Sequence, residues 1–118
     1  IISAKGYVSA GKLRALAVTS DQRSSALPEL PTAAENGLPG YEASYWLGVL
    51  GPAGTPKDAI AKLSTTIAAI MRDAQVKKQL AAQGVEPIGS TPAEFAARIA
   101  ADIQKWGKVI RDAGIPPE

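Results

Sequence analysis

Residues 38–56, LPGYEASYWLGVLGPAGTP, constrain the fold more than any other stretch of the chain. Residues 44–50 are aromatic and aliphatic apart from Ser44 and Gly48. Pro-Gly and Pro-Ala-Gly close them on either side, which is the pattern of a buried strand. Thr55-Pro56 then ends the extended piece and opens a helix, with Thr55 as its expected N-cap and Pro56 where a missing N–H costs nothing. A buried strand feeding a capped helix is one unit of an α/β layer fold, and that is the fold class expected.

Downstream the pattern is helical. Ile60, Leu63, Ile67, Ile70 and Met71 recur at spacings of three and four, the buried face of a helix of about four turns. Asp58 sits in its first turn, where the helix dipole favours an acid. Asp73 is placed to cap a second, shorter helix with Val76 and Leu80 inward and Gly84 as its left-handed stop. Residues 85–88 read as a short extended piece. Thr91-Pro92-Ala93-Glu94 is a capping box with Pro at the first helical position. Phe95, Ile99, Ile103, Trp106 and Ile110 follow on one face, and Gly114 ends the helix after about Ala113, ahead of Pro116-Pro117. Trp106, in that stripe, is expected in the core.

The first forty residues read differently. The chain opens on Ile1-Ile2-Ser3-Ala4-Lys5 without an initiator Met or a signal core, as expected of a piece of something longer. Residues 1–10 fit a short helix with Ile2, Tyr7 and Val8 on its apolar side and Gly11 as its stop. Residues 13–19, LRALAVT, read as a strand. From 20 to 40, Pro28, Pro31, Gly37 and Pro39 forbid a long regular element, leaving room for one or two helical turns over residues 32–36. Such a connection is too long for a turn within one unit and reads as the approach to a hinge.

Composition removes several function classes. Apolar residues at 46% and charged residues at 20% suit a globular chain, and no run approaches the ~20 apolar residues that span a bilayer. The net charge of +2 comes from dispersed Lys and Arg, not from the basic block a nucleic acid would require. With neither Cys nor His, thiolate chemistry is absent, as are the commonest general base and the commonest transition-metal ligand. Gly48, Gly51 and Gly54 lack the Lys-Ser/Thr ending of a P-loop and the helix-opening GxGxxG order. The serines have no His base, and Asp58, Asp73, Glu86, Glu94 and Asp102 read as caps or solvent-face partners of Lys and Arg. A non-enzyme is expected, with no cofactor and no metal site.

The segments GKLRALAVTS, LPELPTAAENGLPGYEASYWLGVLGPAGTP, LAAQGVEPIGSTPAEF and IQKWGKVIRDAGI, in this order and with these gaps, resemble the carboxy-terminal part of the tripartite tricarboxylate transporter receptors, the Bug or TctC-like family. The resemblance covers nearly the whole chain. It implies part of a two-lobed, type II periplasmic-binding-protein (flytrap) α/β fold, here its helix-rich carboxy-terminal region. Residues 1–41 would end the second lobe and approach the hinge. Residues 42–118 would supply the carboxy-terminal part of the first lobe, a hinge strand plus three helices. It also implies a periplasmic receptor that delivers a small carboxylated solute to a secondary transporter. Its partners would be the membrane permease subunits and the amino-terminal part of the same protein. The family's main ligand-contacting loops would lie outside these 118 residues.

Five residues within the chain are candidates for the ligand cleft. Tyr45 and Trp46 lie where a hinge strand passes it, and an aromatic with a polar tip suits a mixed pocket, although core packing explains them too. Ser44 offers a hydroxyl on the same strand. Thr19 and Ser20 follow the first expected strand, at the carboxyl end where α/β sheets bind ligands, and turn formation by Ser20-Asp21 is the plainer explanation. The competing reading of the whole chain is a non-catalytic α/β interaction or scaffold module, with exposed apolar surface that a longer parent would cover.

Overall fold

The computed structural model describes residues 4–116. Four helices form in chain order: α1 (Lys5–Ser9), α2 (Lys57–Arg72), α3 (Ala74–Ala82) and α4 (Pro92–Asp112). Their ends follow the chemistry of the sequence. The Asp73 carboxylate accepts from the N–H groups of Gln75 and Val76 at 2.8 and 3.0 Å, so one residue ends α2 and caps α3. At α4 the Thr91 hydroxyl accepts from the Glu94 N–H while the Glu94 carboxylate accepts from the Thr91 N–H, a complete capping box with Pro92 at the first position. Gly11, Gly84 and Gly114 take positive φ values of 68°, 77° and 65° just beyond α1, α3 and α4, the left-handed stop that only glycine adopts without strain. The N-terminus of α2 differs from expectation: Pro56, not Thr55, is its N-cap, and no side chain caps it. The Thr55 hydroxyl is turned back to the Pro52 carbonyl at 2.7 Å and closes the preceding turn instead.

Residues 32–36 make one capped turn. The Thr32 hydroxyl accepts from the Glu35 N–H, the Glu35 carboxylate accepts from the Thr32 N–H, and the Asn36 N–H reaches the Thr32 carbonyl at 3.0 Å. The short helix expected near the start is confined to α1; Ile2, placed on its apolar side, lies outside the described residues.

Neither expected strand is a strand. Within residues 13–19 there is one isolated parallel bridge, Val18 to Thr32, through Val18 N–H to Pro31 and Ala33 N–H to Val18, and a further backbone bond from Ala43 N–H to the Thr19 carbonyl. Residues 44–50 take no regular secondary structure and have no backbone hydrogen-bond partner among the described residues. The expectation that they are buried is also overturned: Tyr45 is 82% exposed and Leu47, Val49 and Leu50 are above 70%. The physical reason is that an extended chain becomes a strand only by pairing, and no described segment runs beside it. The helices share this incompleteness. None of the four contains a fully buried residue. Ile60, Leu63 and Ile70 on the apolar stripe of α2 remain 40–56% exposed, and Trp106 on α4 is 39% exposed instead of in a core. The stripes are amphipathic as read, but the layer that would cover them is not among residues 4–116. The buried set is confined to Val18, Ser24, Thr32 and Ala33, around the single bridge.

Candidate functional site

The best-connected polar cluster is built where residues 42–46 meet α4. Arg98, Asp102 and Lys105 lie at i, i+4 and i+7, so they share one helix face. The Lys105 ammonium donates to both the backbone carbonyl and the carboxylate of Glu42. Arg98 bridges two acids, with Nε 3.2 Å from Asp102 and Nη2 3.5 Å from Glu42. The Trp46 indole N–H donates to the same Asp102 oxygen at 2.5 Å, and its ring meets Phe95 edge to face with centroids 5.2 Å apart. Gly48 follows beneath that ring: a Cβ there would stand 2.0 Å from Phe95 Cζ, so only glycine fits.

These contacts fix the charges. The hydrogen bond from Lys105, then the nearby Ser44 hydroxyl, with the Lys105 and Arg98 charges, holds the Glu42 carboxyl down at about 2. The Trp46 indole, followed by Arg98, keeps the Asp102 carboxyl below the ordinary range. Both are carboxylates at neutral pH, and charge-assisted donors are what stabilise that form.

On the other side of this segment, the Ala43 N–H donates to the Thr19 carbonyl at 2.8 Å and the Thr19 hydroxyl donates to the Ala43 carbonyl at 2.9 Å. Residues 42–46 are therefore held from both sides, by Thr19 on the amino-terminal side and by α4 on the carboxy-terminal side.

The structure brings Thr19, Ser44 and Trp46 together at this junction. Thr19 also borders an open depression of about 360 Å³ lined by Val8, Leu13, Val18, Leu27 and Leu30 among others. Trp46 is spent on α4, as the packing explanation has it, and its polar tip is satisfied by Asp102. Tyr45, by contrast, is exposed. The Ser20 hydroxyl donates to the Gln22 carbonyl at 2.7 Å, the turn explanation of that residue. Sequence reasoning missed Glu42, Arg98 and Lys105. The signal available was the charged i, i+4, i+7 stripe of α4, which looks like any solvated helix face until Glu42 is laid across it. Asp102, read as a solvent-face partner, is tied to Trp46 as well as to Arg98. Among the described residues no group of acids could hold a metal ion, and no helix is long and apolar enough to cross a membrane.

The family model described as tripartite tricarboxylate transporter family receptor matches residues 1–115. Protein BugT of Bordetella pertussis is 39% identical over 108 residues, which are 92% of this chain and 33% of BugT. Among solved structures, a Rhodopseudomonas palustris protein with adipate superposes with a TM-score of 0.84 at 39% identity, over 99% of this chain and 39% of that one. The periplasmic binding protein BugD superposes with a TM-score of 0.81 at 30% identity, over 98% and 39%. At these similarities the chain has the fold of the corresponding part of a periplasmic binding protein, and spans about a third of the length of such relatives.

Proposed function

Because this chain belongs to the tripartite tricarboxylate transporter receptor family, we propose that it is the carboxy-terminal part of an extracytoplasmic, non-catalytic receptor. The receptor binds a small carboxylated solute and hands it to the permease subunits of a secondary transporter. The observation that carries this reading is the family match over residues 1–115; the similar Rhodopseudomonas palustris protein, whose structure holds adipate, supports a carboxylate as the ligand class. In this reading residues 1–41 complete one lobe, residues 42–118 contribute to the other, and residues 42–46 are the crossing about which the lobes move. Thr19, Ser20, Ser44, Tyr45 and Trp46 lie at or beside that crossing. Of these, Thr19 and Ser44 are the hydroxyls nearest to it, while the loops that grip the ligand belong to the rest of the protein. The apolar surface of residues 45–50 is the face the remainder of the receptor covers.

The test is thermal unfolding of the full-length protein across a panel of mono-, di- and tricarboxylates. A ligand that binds only the native state raises the midpoint by mass action. A selective stabiliser among the carboxylates is the expected result. A folded, ligand-free protein that responds to none of them would overturn the reading in favour of an interaction module.

A further inference from the structure

Two contacts join the amino-terminal forty residues to the helical part at points away from the crossing. The Lys5 ammonium donates to the Ala82 carbonyl at 3.0 Å, one of the last carbonyls of α3, which have no partner within the helix and sit at its negative end. The N–H and the hydroxyl of Ser25 both donate to one oxygen of Glu86, at 2.8 and 2.5 Å.

Local structure prepares each side for this. In the turn at Ser24, the Ser24 hydroxyl accepts from the Ala26 N–H and the Ser24 carbonyl from the Leu27 N–H, which leaves the Ser25 N–H facing outward. Glu86 stands in the extended piece between Gly84 and Gly89, whose positive φ values of 77° and 64° fix the path of the chain between α3 and α4. Neither contact shares a group with the Glu42, Arg98 and Lys105 network.

Exposed polar contacts of this kind contribute little to folding. An equilibrium between two orientations of rigid bodies is another matter, because a few-fold bias there changes which state predominates. We propose that Ser25–Glu86, assisted by Lys5–Ala82, is a ligand-independent latch that holds the two lobes closed on one another. The inference rests on the lobe assignment proposed above. Residues 5 and 25 then belong to one lobe and residues 82 and 86 to the other, so a rotation of the lobes about residues 42–46 away from this arrangement separates the partners of both contacts. The latch raises the closed fraction of the empty receptor, and it strengthens apparent ligand affinity to the extent that the closed state is the one that binds.

The experiment uses the full-length protein with paired probes at Glu29→Cys and Lys62→Cys, exposed positions one on each side of the crossing. Distance distributions are recorded ligand-free by double electron–electron resonance. Glu86→Ala is expected to raise the open-to-closed ratio by about three- to ten-fold, the effect of losing a charge-assisted contact at a wet surface. Ser25→Ala, which keeps the N–H, is expected to raise it by about two- to three-fold. Glu86→Gln, whose carboxamide oxygen still accepts, should fall between parent and Glu86→Ala. Ligand-free distributions of Glu86→Ala and Ser25→Ala identical to the parent's would overturn the latch. Should Glu86→Ala fail to fold, Ser25→Ala decides. Repeating the parent with each member of the same panel of mono-, di- and tricarboxylates separates the two ideas: absence of closure with every one of them counts against the carboxylate reading, while the ligand-free comparison still decides the latch.

Discussion

Helix α4 and residues 44–50 carry comparably strong sequence patterns, yet only α4 takes the form its pattern dictates. An α-helix satisfies its backbone within a few residues, so the capping box at Thr91, the stripe from Phe95 to Ile110 and the stop at Gly114 suffice to define α4. A strand borrows its hydrogen bonds from neighbours. Residues 42–46 find partners in Thr19 and α4, whereas residues 47–50 find none and stand exposed. The same polypeptide is thus complete where bonding is local and open where it is not. The sharpest way to break this comparison is amide exchange. In the isolated 118-residue chain, residues 47–50 should exchange near the unstructured rate while α4 is protected. In the full-length protein their protection should rise by at least about a hundred-fold, as for core strands. Protection of residues 47–50 that is equally high in both would show that the partner strand lies within this chain, and protection equally low in both would show that they pair in neither.

The next effect concerns the place where the extended segment is anchored. Trp46→Ala removes an edge-to-face ring contact and an indole hydrogen bond to Asp102 together. A cost of about 2–3 kcal/mol is expected, below the range for fully buried aromatics because Trp46 is only half-buried here. Gly48→Ala attacks the same contact from the backbone side and should cost about 1–3 kcal/mol, since the Phe95 ring must move to admit a methyl group. Denaturant unfolding of the full-length variants measures both. Trp46→Phe, which keeps the ring contact and loses the hydrogen bond, divides the first effect into its parts.

Acid sharpens the comparison further, because the anchor is charged. The Glu42 carboxyl is held at about 2 against an ordinary 4.5. A depressed carboxyl stabilises the fold fully above the ordinary value, and that contribution is lost as pH falls from about 4.5 through about 2. The shift corresponds to about 3 kcal/mol at most, but Lys105 and Arg98 are 36% and 42% exposed, so solvent screening reduces the expectation to about 1–2 kcal/mol. Lys105→Met should remove most of this acid-dependent loss. An unfolding free energy whose slope between pH 4.5 and 2 is the same in Lys105→Met and parent would show that Glu42 is held by something else.

What was legible follows the same physical line. Asp73 as a shared cap, the Thr91–Glu94 box and the glycine stops each depend on residues within four positions of one another, so sequence suffices to place them. Thr55 shows where even local chemistry has two outcomes, since its hydroxyl can cap α2 or close the turn at Pro52, and the turn wins. The junction was only half legible. Residues 44–46 and Thr19 were marked by position on the expected strands. Glu42 was not, because its partners lie 56 and 63 residues away on a helix face with nothing apolar to reveal a contact. Burial was the least legible property: the stripes of α2 and α4 are amphipathic as read, yet among the described residues Leu63 and Trp106 on them stay 56% and 39% exposed.

The smallest effect tests locality itself. Thr91→Ala removes the hydroxyl that accepts from the Glu94 N–H and leaves the Glu94 carboxylate to cap the Thr91 N–H alone. Loss of such an N-cap costs about 1 kcal/mol. If α4 is defined by its own ends, the change should stay there: amides in the first turn of α4 exchange faster, while those of residues 42–46 change little. If protection at residues 42–46 falls as much as in the first turn, then the capping box also sets the position of Arg98 and Lys105. The line between the locally defined helix and the borrowed bonding of residues 42–46 would then have to be drawn past Glu42 instead of through it.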